Sequence, residues 1–202
     1  MSGRDLEPVV GWRLWRVRED ELCSWAVEHV WQPGENNAAC LSDGLFRCLQ
    51  APGPSCRCGF WALNSPVSAI RLASAKPAAR AVLGLITAFG TVAVHGREGF
   101  RAEVASVACL FSDEIALPPA ERLWRSLRRR LFRRADDELI PRRADSLKSL
   151  AARYSVPVVS LQSAISLGLL GELGVQQDAI VELEQWLKAS RIRGRQGPAE
   201  LA

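Results

Sequence analysis

Hydrophobic and polar positions follow a strand-like pattern in the first half of the chain and a helical spacing in the second. Residues 11–17, Gly-Trp-Arg-Leu-Trp-Arg-Val, set Trp12 and Leu14 against Arg13, although Trp15 and Arg16 interrupt the strict two-residue period. A polar turn at Glu19-Asp20-Glu21 leads into a second aromatic and β-branched run over 22–31, so a hairpin is expected. The Pro-Gly and Asn-Asn pairs in 32–37 predict a loop. Residues 40–58 are rich in Cys and Pro and show no period. Residues 60–63 read as a short buried strand. Ser65-Pro66 then opens a helix, with Ser as N-cap, Pro in the first turn, and Val67, Ile70 and Leu72 following. The longest β signal comes next: two apolar runs, 82–94 and 100–111, flank a turn bounded by Gly96 and Gly99. Gly84 and Gly90 inside the first run predict a bulge or a bend.

Past Ser112 the period changes. Leu123, Trp124, Leu127 and Leu131 stand at helical spacing after Pro118-Pro119. Further helices are expected over 145–154, 160–170 and 178–190, with a break at Val156-Pro157-Val158. These elements predict an α+β fold. Residues 1–115 form an N-terminal antiparallel β-rich module with a Cys-rich loop, 116–191 a C-terminal helical module, and 192–202 a flexible tail.

Composition adds little until it is placed along the chain. The 202 residues are 48% hydrophobic and 24% charged, which excludes a disordered chain, and the Gly period of collagen is absent. No apolar run reaches the length of a membrane span, and the first residues lack the apolar core of a signal peptide. The expectation is a soluble cytoplasmic protein. The net charge of +4 is uneven. Seven of the thirteen residues from 122 to 134 are Arg, namely Arg122, Arg125, Arg128, Arg129, Arg130, Arg133 and Arg134, and none is acidic. Arg142 and Arg143 continue the run. Such a stretch marks an anionic partner, a solvated helix face paired with Asp136–Glu138, or a membrane-surface helix.

The six Cys divide in the same way. Cys23 and Cys109 lie on strand-like runs and are expected to be buried. Cys40, Cys48, Cys56 and Cys58 fall within nineteen residues at the spacing C-x7-C-x7-C-x-C. Four thiolates satisfy tetrahedral zinc, although the customary two-knuckle spacing is absent. Structural zinc, buried reduced thiols and redox chemistry all stay open on spacing alone, and a thioredoxin-type C-x-x-C is missing.

Trp31-Gln-Pro-Gly34, Cys40, Ala51-Pro52 and Cys56-Arg-Cys-Gly-Phe-Trp-Ala62 together resemble a W-x-P-G…C…A-P…C-x-C-G-x-[Y/W]-A pattern of uncharacterised actinobacterial and phage-borne proteins. The resemblance spans about the first 110 residues and includes the Gly-Phe-Arg-Ala-Glu strand at 99–103. It implies a compact module and carries no activity. Where those proteins often place a His before Ala-Pro, this chain has Gln50, so a metal site built on that His would need Cys48 in its place.

Residues 146–165 resemble a bacterial helix-turn-helix, with Leu147, Leu150 and Ala151 packing the first helix and Ser155 at the turn. Val156, Leu161 and Ile165 would hold the second. Its reading face offers only Ser160, Gln162, Ser163 and Ser166. Catalytic signatures are missing: there are two His, no nucleophile elbow and no phosphate loop. Glu98 and Glu103 flank Arg97 and Arg101 and are expected to pair with them across the hairpin. The leading expectation is a non-enzymatic, nucleic-acid-associated protein. Its Arg-rich helix would contact phosphates in DNA or RNA, assisted by Gln162 and Ser163, and a structural zinc would sit on Cys40, Cys48, Cys56 and Cys58. A protein-interaction module is the alternative, followed by a thiol- or metal-dependent enzyme.

Overall fold

The computed structural model describes residues 7–42, 47–75, 81–113 and 143–195. Its strands are β1 (Val9–Arg18), β2 (Glu21–Ser24), β3 (Glu35–Asn37), β4 (Phe60–Leu63), β5 (Ala81–His95), β6 (Gly99–Phe111) and β7 (Val158–Val159). The helices are α1 (Pro66–Ala75), α2 (Arg143–Tyr154), α3 (Leu161–Ser166), α4 (Leu169–Glu172) and α5 (Gln177–Arg195). The fold is α+β, built on one sheet.

The β5–β6 hairpin is the spine. It pairs from Gly84↔Leu110 to His95↔Gly99, with register shifts between Leu85 and Ile86 and between Phe89 and Val92. The second shift holds Gly90 at φ +71°, one of the two positions where the sequence predicts a bulge or bend. β1 pairs with β5 on one side and meets β4 at Trp12↔Leu63 on the other, while β4 also pairs with β6. The four strands β1, β5, β6 and β4 therefore close into a ring. Gly11 makes the closure feasible: a Cβ there would stand 2.6 Å from the Ala62 Cβ and 2.7 Å from the Phe100 ring.

Both faces of the sheet are covered, which explains why β1 lacks a clean alternation. Trp12 and Leu14 enter one core, with Leu83, Leu85, Cys109 and Phe111 and with residues of α1, α3, α4 and α5. Trp15 enters the other, with Leu22, Trp31, Phe60, Phe100 and Leu110 and with Leu147, Leu150 and Tyr154 of α2. A strand buried on two sides reads as mixed apolar rather than alternating. Cys109 is buried in the first of these cores, and Cys23 is buried as well, as expected.

Several expectations change. The run 22–31 forms only the short β2, because Ser24 N–H donates to the His29 carbonyl at 2.8 Å and folds the chain back, leaving one bridge at Cys23↔Val30. The predicted loop 32–37 contains β3. Its buried Asn36 accepts from Gln32 N–H at 2.8 Å and donates to the Gln32 carbonyl at 3.0 Å, so the turn is tied by a side chain and frees Glu35–Asn37 to pair with β6. The predicted break at 156–158 contains the start of β7, which runs parallel to β6 through Leu110↔Val158 and Phe111↔Val159. The sheet is thus antiparallel except for this pair. The expected helix 160–170 is split into α3 and α4 by Gly168 at φ +70°.

Residues 146–165 do not make a helix-turn-helix. Ser155 takes the left-handed conformation at φ +54° and ends α2, where the motif has its turn. The chain then enters the sheet as β7 instead of starting a second helix. Leu147 and Leu150 pack in one core and Leu161 and Ala164 in the other, so α2 and α3 stand on opposite faces of the sheet. Pairing β7 with β6 satisfies backbone groups that a helix-turn-helix would leave to its turn. Arg122, Arg125, Arg128, Arg129, Arg130, Arg133, Arg134 and Arg142 lie outside the described residues, as does the side chain of Arg143. Among the described residues no helix is long and apolar enough to cross a membrane.

Candidate metal centre

The loop between β3 and β4 carries the four clustered Cys, and the fold brings their sulfurs together. All four Sγ atoms lie within 4.8 Å of one another. Cys40 Sγ is 3.6 Å from Cys56 Sγ, and Cys48 Sγ is 3.2 Å from Cys58 Sγ. These separations exceed a disulfide bond. They fall a little short of the edge of a zinc tetrathiolate, in which bonds of about 2.3 Å place neighbouring sulfurs about 3.8 Å apart, while the whole set stays within 4.8 Å. The donor set fits a single tetrahedral ion with thiolate preference, such as zinc.

Among the described residues of the loop, turns and backbone-to-sulfur contacts build this geometry. Cys56 N–H donates to the Gly53 carbonyl at 3.2 Å, closing a turn, and Gly53 N–H donates to Cys58 Sγ at 3.3 Å. Gly53 is essential to the approach: a Cβ there would lie 2.6 Å from the Cys48 Cβ and 2.9 Å from its Sγ. The Ser42 hydroxyl lies 3.6 Å from Cys56 Sγ. The far end of the loop is tied to β6 by Ala38 N–H, which donates to the Glu103 carbonyl at 2.7 Å.

The thiols do not titrate alike. The Cys40 thiol is pulled down to about 6, first by the Cys48 backbone N–H and then by that of Ser42. Cys56 is lowered, chiefly by the Ser42 hydroxyl. Cys48 is pushed up to about 12, chiefly by its hydrogen bond to Cys58 and then by burial. Thiolates this close would repel one another, and a bound cation would relieve that repulsion. No family model, curated protein or solved structure matches this chain.

Beneath the loop lies a side chain that motif reading passed over. Arg101 on β6 is 3% exposed. Its Nη1 donates to the carbonyls of Cys56, Cys58 (3.0 Å) and Gly53 (3.5 Å). Its Nε donates to His95 Nε2 at 2.7 Å. The guanidinium stands 5.5 Å from the Trp61 ring centre, and Trp61 stacks on His95 at 4.6 Å. The expected cross-strand pairing of Arg101 with Glu98 or Glu103 is absent: the Arg101 side chain is taken up by the loop carbonyls, and the Glu103 carboxylate accepts from Thr91 N–H at 3.0 Å. A signal was present in the sequence, since Arg101 stands between the apolar Phe100 and Ala102 in a long strand-like run, where a charged side chain that becomes buried needs partners.

The other expected site residues are separate from this centre. Gln162 and Ser163 are exposed on α3, where Ser163 N–H donates to the N-cap Ser160 Oγ at 3.0 Å and Gln162 Nε2 lies 3.3 Å from Ser166 Oγ. His29 stands against Trp31 and Phe60, and its buried Nε2 has no hydrogen-bond partner among the described residues.

Proposed function

We propose that this protein is a zinc-stapled binding protein that associates with nucleic acid and catalyses no reaction. The observation that carries the proposal is the set of four Sγ atoms within 4.8 Å. Four protein thiolates fill every position of a tetrahedral ion and leave none for water or substrate, as in structural rather than catalytic zinc sites. Cys40, Cys48, Cys56 and Cys58 would hold the ion, which would stiffen a loop whose described residues make few backbone hydrogen bonds with one another.

The nucleic-acid part rests on the sequence. Arg122–Arg134, Arg142 and Arg143 follow β6 and lead into α2 in residue order, and this stretch would supply the anion-binding segment. Guanidinium groups bind phosphate in bidentate fashion and supply affinity regardless of base sequence. The exposed Gln162 and Ser163 would add weak sequence preference. The test is duplex binding measured across salt concentrations on protein of known zinc content. Each phosphate contact contributes about −0.9 to the slope of log K against log salt, so Arg125, Arg129 and Arg133 changed together to Ala flatten it by about 2–3. A flat slope, or no binding at low salt, overturns the nucleic-acid part; less than stoichiometric zinc overturns the metal part.

A protein-interaction module is the second reading. It is favoured by Leu41 and Leu49, 70% and 109% exposed, each directly following a Cys of the cluster. It predicts a stoichiometric protein complex that Leu49→Glu dissolves, with duplex DNA ignored.

A further inference from the structure

A tetrathiolate around a divalent cation carries two net negative charges, and this one sits against a buried arginine that has no acidic partner. Among the described residues no carboxylate pairs with Arg101, although a guanidinium that is 3% exposed is costly to hold without a counter-charge. Its partners among the described residues are the carbonyls of Gly53, Cys56 and Cys58, His95 Nε2 and the Trp61 ring. All three carbonyls belong to the segment that carries two of the four sulfurs. Arg47 and Arg57 also flank the cluster, but both are exposed and screened by water. Glu103 lines the cleft beside Cys40 and Cys48 and adds negative charge on that side. From these contacts we infer that Arg101 is the counter-charge and positioning residue of the metal centre. It holds the Gly53–Cys58 turn in ligating geometry through its hydrogen bonds and stabilises the charged tetrathiolate through its field. The metal-bound loop in turn supplies the negative charge that the buried guanidinium lacks, so zinc binding and Arg101 burial reinforce each other.

This inference rests on the zinc reading above, and the experiment separates the two. Zinc affinity is measured by competition with a chromophoric chelator, and the pH of half-release is read for the same proteins. Arg101→Gln is expected to weaken zinc by about 10–100-fold, the usual effect of losing an outer-shell partner. Because four thiolates take up protons as zinc leaves, the same change moves half-release about 0.25–0.5 pH units upward. Arg101→Lys keeps the charge with fewer donors and recovers part of both effects. Arg13→Gln is the control: Arg13 donates to the Trp61 carbonyl and to Ser24 Oγ at 3.0 Å and not to the Gly53–Cys58 carbonyls, so zinc affinity should stay within about twofold of the parent. Wild-type affinity and release pH in Arg101→Gln, or an equal loss in Arg13→Gln, overturn the inference while leaving the zinc site intact. A parent protein that holds no stoichiometric zinc overturns the reading beneath it.

Discussion

Tyr154 Oη donates to the Trp31 carbonyl at 2.8 Å and accepts from Leu22 N–H at 3.0 Å, joining α2 to β2 and to the strand-like bend after it. Burial raises the Tyr154 phenol above its ordinary value, although the Leu22 hydrogen bond and Arg153 pull against that rise. The hydroxyl therefore stays protonated and available as a donor through the neutral range. Tyr154 is 4% exposed, so Tyr154→Phe leaves a buried N–H and a buried carbonyl without partners. Such groups cost about 1–3 kcal/mol each, and a loss of about 2 kcal/mol or more is expected in denaturant unfolding with the slope unchanged. A loss below about 0.5 kcal/mol would mean that water takes over both groups.

Gly53→Ala should act on the metal and spare the sheet. The added methyl meets the Cys48 Cβ at 2.6 Å and its sulfur at 2.9 Å, so one ligand must move. Zinc affinity should fall by about 10–100-fold, as for other disturbances of ligand orientation. Far-UV circular dichroism, which reports the β5–β6 hairpin and the helices, should not change.

Removing the metal has a localised consequence. Chelation, or Cys58→Ser, should raise amide exchange over 39–42 and 47–58 towards unprotected rates, because these described residues make few backbone hydrogen bonds with one another. The β5–β6 pairs, continuous over most of both strands, should retain protection. Uniform loss of protection in both regions would show that the centre holds the whole fold together.

Stability should fall in mild acid for a reason apart from zinc. Desolvation lowers the pKa of His29 below 6.5, and the charge of Arg13 lowers it further. The unfolded chain therefore binds the proton first as pH drops. The contribution of neutral His29 is complete above about 6.5 and is lost as pH falls towards the lower folded value. Unfolding of zinc-loaded protein between pH 8 and 5 should show this decline, and His29→Phe should flatten it relative to the parent.

The elements that depend on neighbours in the chain were legible from residue order. Ser65 caps α1 by accepting from Ser68 N–H at 3.0 Å, where Ser-Pro announces a helix start, and the turn between β5 and β6 falls where Gly96 and Gly99 place it. Ser155 ends α2 at the position where the motif resemblance puts a turn. Elements that depend on distant partners were not legible. The two residues of β7 carry no period, and they form a strand only because the β6 edge accepts them.

The candidate site divides along the same line. Residue order alone placed four Cys within one short loop, because ligand spacing is a local property, and it separated them from Cys23 and Cys109, whose apolar surroundings foretold burial. Tertiary structure decided that all four sulfurs meet within 4.8 Å, and that Arg101, forty-three positions beyond Cys58, lies under their loop. That juxtaposition depends on the β4–β6 register, Phe60↔Ala102 and Trp61↔Arg101, and pairing across a sheet is a choice between distant segments that no local pattern encodes. The same physics separates α2 from α3: adjacent in the chain, they are divided by a strand whose hydrogen bonds bind it to the sheet between them.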